Sequence, residues 1–169
     1  YIFNQDELEE FLKAEPGAAK YVRPLVGADE LIKGKRRFVL YLKGADAADL
    51  SSMPRVLERI RAVQSQRAAS SAEATRKSAE RPLEFYFDST TDENFLVIPS
   101  VSSERRRYVP MAICGPDVVA TNLVSIIPGA TAYHFGILSS QMHNAWMRVV
   151  AGRMKSDYRY SPKTVYNTF

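Results

Sequence analysis

The sequence predicts an α+β fold, a mixed or antiparallel sheet flanked by helices, one of them long and polar. Two patterns predict it. Apolar residues recur at helical spacing near the N-terminus, after Pro54 and after Ser140. Between Glu84 and Phe135, short β-branched and aromatic runs are separated by Gly115-Pro116, Thr121-Asn122 and Pro128-Gly129.

The elements follow in order. Asn4 and Glu7 stand at capping-box spacing, and Phe3 can staple onto Leu8. The helix they open buries Leu8, Phe11 and Leu12 and stops before Pro16-Gly17. Residues 36–42 read as a buried strand, and residues 43–53 as loop or turn. From Pro54, the residues Met53, Val56, Leu57, Ile60 and Val63 form an apolar helical stripe, with Ser52 as N-cap. Past Val63 the chain turns polar and alanine-rich. It reads as an exposed helix continuing to ~40 Å in all, with a mobile loop as the other option. Strands are expected at 84–87, 95–99, 108–114, 118–120, 123–127 and 131–135. A last amphipathic helix, capped by Ser139 or Ser140, should face the core with Met142, Trp146, Val149 and Val150. Its Asn144, Arg148 and Arg153 should face away. A short strand, "TVYNTF", closes the chain.

Composition narrows the function classes. The chain has 169 residues, 46% hydrophobic and 25% charged, which fits one domain with a real core. It begins at Tyr1 rather than Met, as expected of a piece of a longer polypeptide. No apolar run approaches the ~20 residues of a membrane span, so no membrane partner is expected. The single cysteine, Cys114, allows no internal disulfide. His134 and His143 have no partners at metal-ligand spacing, so a cytoplasmic, metal-free domain is expected. There is no Gly-rich phosphate loop, nucleophile elbow or Cys/His pair. A nuclease would need paired acids and a lysine around a sheet, and residues 83–135 show none. The expectation is binding without catalysis, with a protein-interaction or scaffolding domain as the rival class.

Charge is uneven. Residues 99–169 carry Arg105, Arg106, Arg107, Arg148, Arg153, Lys155, Arg159 and Lys163 against Glu104, Asp117 and Asp157. A basic half is a possible footprint for nucleic acid, although on charge alone an ordinary solvated surface is the better explanation. The stretch "GRMKSDYRYS" sharpens the question. Lys155, Asp157 and Arg159 alternate with Ser156, Tyr158 and Tyr160. In an extended segment the three charges share one side, about 6.5 Å apart stepwise. Lysine donates to guanine O6 and N7, and aspartate accepts from cytosine N4, so the pair could span one G·C base pair. The bland alternative is a Lys155–Asp157 surface salt bridge, worth roughly 0–1 kcal/mol. In "SSERRRY", Ser102, Ser103, Arg105 and Arg107 are suited to phosphate, which positions a protein without reading sequence. Arg153 joins that group.

Several long blocks carry a family resemblance. "EPGAAKYVRPLVGADELIKGKRRFVLYL", "MPRVLERIRAVQSQR", "PSVSSERRRYVPMAI", "FGILSSQMHNAWMRVVAGRMKSDYRYS" and "VYNTF" resemble, in order, the target-recognition domain of MmeI-like (Type IIL restriction–modification) DNA adenine methyltransferases. The resemblance covers nearly the whole chain. It implies that the chain is a single double-stranded-DNA recognition module. It also implies a methyltransferase core of the same polypeptide that uses S-adenosylmethionine to methylate adenine N6, joined in some members by an N-terminal nuclease. This stretch itself would hold no cofactor. The resemblance places base contacts on Lys155, Asp157 and Arg159, with a second contribution from the turn at Asn122 and Leu123.

Overall fold

A computed structural model describes residues 1–169, and its helices and mixed or antiparallel strands are those of an α+β fold. In chain order the elements are β1 (Ile2–Asn4), α1 (Gln5–Ala14), β2 (Val22–Val26), α2 (Ala28–Lys33), β3 (Arg37–Leu40), α3 (Ala47–Ser51), α4 (Pro54–Ala68) and α5 (Glu73–Lys77). Then come β4 (Phe95–Pro99), β5 (Val101–Ser102), β6 (Ala112–Cys114), β7 (Val119–Ala120) and β8 (Val124–Pro128). The last are α6 (Ala132–Leu138), α7 (Gln141–Val150), β9 (Gly152–Met154) and β10 (Asp157–Arg159). The chain forms two compact units: residues 1–24 with 36–88, and residues 25–35 with 89–169.

The first unit is built around α1, α4 and the antiparallel pair β1–β3. The capping box forms as the spacing predicts. Glu7 N–H donates to Asn4 Oδ1 and Asn4 N–H to the Glu7 carboxylate, both at 2.9 Å. Phe3, Leu8, Phe11, Leu40, Leu42, Met53, Val56 and Ile60 make one buried cluster. Ser52 is not the cap of α4. Met53 occupies that position, and the Glu15 carboxylate accepts from Arg55 N–H at 2.8 Å. A buried acid thus satisfies one of the orphan donors that open every helix. Residues 43–53, expected as loop, contain α3, capped by Asp46 on Ala48 N–H.

The polar helix is shorter than expected. Its 15 residues span about 22 Å before Ser70 and Ser71 interrupt it. Arg76 donates to both of their carbonyls, at 2.9 and 2.7 Å. Residues 84–87 form no strand, and Arg67 holds the chain that leads into them. Its guanidinium donates to the carbonyls of Ser78, Arg81 and Glu84 at 2.8–3.0 Å.

The second unit holds two small antiparallel sheets, ordered β6-β4-β8 and β5-β10-β9, and a parallel contact of Leu25–Val26 with Val119–Ala120. β4 is buried along its length. Leu96 and Ile98 pack into one cluster with Val109, Met147, Tyr158, Tyr160 and Val165. Phe95 and Val97 pack into another with Val26 and Ala120. The strand expected at 108–114 shrinks to β6.

Three sequence expectations fail in this unit. Residues 131–135 alternate like a strand but start α6. Thr131 N–H donates to His134 Nδ1 at 3.1 Å, a cap that turns the same residues into a helical first turn. "TVYNTF" joins a π-helical turn, Pro162–Tyr166, which seals Val165 into the core. The third miss is the buried face of α7. Ser140 caps that helix as expected, but its buried residues are His143, Asn144 and Met147. Met142 and Val149 are 74% and 81% exposed, and Trp146 is only part-buried. Polar side chains can take core positions when partners await them. Asn144 Oδ1 accepts from Val109 N–H at 2.9 Å and its Nδ2 donates to Ser140 O at 2.8 Å. His143 Nε2 meets Tyr160 Oη at 3.0 Å.

Candidate nucleic-acid interface

All the sequence-predicted site residues lie in the second unit. The β9–β10 hairpin places three of them. Asp157 pairs with Met154, so Lys155 and Ser156 form a two-residue loop. Lys155 carries φ +56°, the one non-glycine residue of the chain with positive φ. Such tight hairpins need a left-handed residue in the loop, usually glycine or asparagine. This corrects the expectation of one extended segment. Lys155 projects from the turn, and only Asp157 and Arg159 continue at strand spacing on one face.

Register sorts the faces. Opposed residues of an antiparallel pair share a face. Tyr158 is opposite both Arg153 and Ser102; Tyr158 and Ser102 are buried, while Arg153 lies over the Tyr158 ring and stays exposed. Tyr158 and Tyr160 are buried, as the alternation predicted. Arg159 is opposite Gly152 and Val101, and Asp157 is opposite Met154, so these five make the outer face.

Lys155, Asp157 and Arg159 form no ion pair and no side-chain hydrogen bond, so the Lys155–Asp157 salt bridge is not made. Unpaired charges of both signs at a hairpin tip are available to an external partner. Ser102 is different. It is 2% exposed and its hydroxyl has no partner. Its place opposite Tyr158 turns it inward, so it cannot reach a phosphate, and that assignment is corrected.

The arginine run is a loop, not a strand. Arg106 N–H donates to Ser103 O at 3.0 Å, and Arg105 N–H reaches Ser103 Oγ at 3.4 Å. Ser103 therefore shapes the turn. Arg105 and Arg107 are exposed, and Arg106 is part-buried. Arg148, expected to point away from the structure, donates to the carbonyls of Arg106 and Arg107 at 2.8 and 2.9 Å. Sequence reasoning missed this role, since nothing in a lone helical arginine marks its acceptors. Arg153 is also committed internally. Its Nη1 donates to Ser156 O at 2.8 Å and lies 3.6 Å from the Glu104 carboxylate.

Asn122 and Leu123 form the exposed turn between β7 and β8. The backbone ties this turn to the hairpin strand. Ser100 N–H donates to Leu123 O at 3.0 Å, and Tyr160 N–H donates to Ser100 O at 2.9 Å. The two predicted base-reading segments are thus one residue removed from each other. No three His, Cys, Asp or Glu side chains cluster as a metal site. No helix is long and apolar enough to cross a membrane.

A module of free charges on a small sheet, held by short loops, is the build of a recognition domain rather than of a catalytic centre. The chain belongs to the MmeI target recognition domain family, whose model matches residues 1–169. It is 38% identical to DNA methyltransferase A of Bacillus subtilis (strain 168) over 168 residues, covering 99% of this chain and 19% of that protein. Among solved structures it resembles the Type IIL restriction–modification enzyme MmeI in complex with DNA. There the TM-score is 0.96 at 45% identity, covering 100% of this chain and 23% of MmeI. The chain therefore spans about a fifth of the length of these relatives.

Proposed function

We propose that the domain reads sequence in double-stranded DNA for a larger DNA adenine-N6 methyltransferase that uses S-adenosylmethionine. The catalytic core would be the domain's same-chain partner and would supply the methyl transfer; the cofactor would belong to it. The observation that carries this reading is the hairpin tip, where Lys155 stands exposed, Asp157 is half-buried, and neither has a partner. Lys155 would donate to guanine O6/N7 and Asp157 would accept from cytosine N4 of the same pair. Arg159 would extend the row, and Asn122 and Leu123 would contribute from the neighbouring turn. Ser103, Arg105 and Arg107 would face the phosphates.

The test is the methylated motif in a genome carrying the full-length gene. The parent is compared with the double variant Lys155→Glu, Asp157→Arg, which exchanges donor and acceptor. One G·C position of the motif should reverse while the others stay. An unchanged motif would remove Lys155 and Asp157 from the reading role.

A second reading, a protein-interaction surface, has one observation in its favour. Met142, Ala145, Trp146, Val149, Thr168 and Phe169 line an open, largely apolar groove of ≈ 450 Å³. Salt-insensitive binding of a protein partner there would support it. DNA binding should instead weaken steeply with salt.

A further inference from the structure

Two arginines meet on one ring. The Arg153 guanidinium lies 3.9 Å from the Tyr158 ring centre, and that of Arg148 lies 5.5 Å from it. Each also holds one loop. Arg153 reaches across the hairpin to Ser156 O, and Arg148 grips the carbonyls of Arg106 and Arg107. Resting on the DNA-reading assignment above, we propose that Arg153 and Arg148 are positioning residues. Acting from the shared Tyr158, Arg153 fixes the turn that presents Lys155, and Arg148 fixes the loop that presents Arg105 and Arg107.

The physical case starts from the turn. A lysine at φ +56° is in a region that L-residues avoid, and such conformations persist only where neighbours over-determine them. The bond from Arg153 to Ser156 O closes the turn from the strand side. Stacking on Tyr158 and the Glu104 carboxylate fix the plane of the fork. The arginine loop has the same need. Between Ser103 and Val109, its own backbone supplies the Arg106-to-Ser103 bond. Asn144 anchors its end at Val109, and Arg148 takes two carbonyls in its middle. With those carbonyls drawn inward, the side chains of Arg105 and Arg107 stand outward.

Charge and geometry can be separated by lysine, which keeps the cation but loses the planar fork. The variants are Arg153→Lys, Arg153→Gln, Arg148→Lys and Arg148→Gln in the full-length polypeptide. The readouts are the methylated motif, and duplex affinity against salt. Both Arg153 variants should relax one base pair of the motif by about tenfold in discrimination, with the salt slope unchanged. Both Arg148 variants should leave the motif intact and lower affinity for all duplexes. Tyr158→Leu keeps a buried apolar side chain without the ring and should show both defects together.

Wild-type behaviour of the two lysine variants, with uniform loss and a shallower salt slope in the glutamine variants, would make these arginines phosphate contacts. That would overturn the positioning role and leave the DNA-reading assignment standing. If the parent polypeptide itself binds duplexes without sequence preference, that assignment falls and the positioning role with it.

Discussion

Cations that look alike in the sequence meet different fates in the two units, although Arg148 and Arg153 of the second are committed internally as well. In the first, Arg67 and Arg76 are committed to backbone carbonyls, Lys20 pairs with Asp49, and Lys77 pairs with Glu73. Arg59 lies over the rings of Phe3 and Phe11. In the second, Lys155 and Arg159 have no internal partner, and the side chains of Arg105 and Arg107 stand exposed. A sequence-level charge count weighs all of these equally. A recognition cation must be left over after the fold has satisfied its own acceptors; that condition is necessary and not sufficient, since Lys13 and Arg61 of the first unit are also exposed and unpaired.

Arg67 gives the largest test of the contrast. Three carbonyls of the segment after α5 accept from it, and charged donors contribute more than neutral ones. Arg67→Met keeps much of the apolar stem and removes the fork. Stability should fall by roughly 2–3 kcal/mol, seen as an earlier urea midpoint. Amide exchange should rise first in residues 78–84. DNA affinity of the folded protein and its salt slope should be unchanged. A shallower salt slope would put Arg67 on the DNA and erase the distinction between the units.

The sequence disclosed the parts of the fold that depend on local chemistry. The Asn4–Glu7 box, the Met53–Val63 stripe, β4 and the inward Tyr158 and Tyr160 all follow from spacing and side-chain type. It did not disclose features set by partners far away in sequence. The backbone held at Ser78, Arg81 and Glu84 depends on Arg67, 17 residues from Glu84. The buried face of α7 depends on acceptors and donors at Val109 and Tyr160. Apolar periodicity ranked Met142 and Val149 above His143 and Asn144, because it cannot see hydrogen-bond partners. Among the candidate site residues, Lys155, Asp157 and Arg159 were legible as a chemical set. The turn that separates Lys155 from the strand was not, since "KS" carries no glycine or asparagine to announce it. Ser102 was misplaced because its facing depends on a register with β10.

That turn supplies a second test, of middle size. A left-handed non-glycine residue costs about 1 kcal/mol, and nothing in the fold explains why lysine stands there. Lys155→Gly should therefore raise stability by about 1 kcal/mol while abolishing discrimination at the base pair assigned to Lys155. In the first unit the positive-φ position is already taken by a glycine, Gly44, so no comparable gain is available there. A variant that gains stability and keeps the full motif would show that the strained lysine serves no reading role. A loss of stability would show that the side chain, not the backbone, holds the turn.

The smallest effect separates the units by pH. His143 is buried on α7, and burial lowers its pKa below the usual 6.5. The folded state therefore resists a proton that the unfolded chain accepts. The neutral ring's contribution is intact above pH 6.5 and declines as pH falls from there toward the depressed folded value. The first unit buries Glu15 instead, already bonded to a helix N-terminus, and holds no histidine. Trp146 is the single tryptophan and sits on the same helix as His143, so its fluorescence follows the second unit. Its urea midpoint should drop between pH 7 and pH 5.5, and His143→Gln should flatten that drop even if it lowers the midpoint throughout. Parallel pH profiles for the two proteins would mean that the acid sensitivity of this unit arises from its carboxylates, and that the His143–Tyr160 contact is indifferent to protonation.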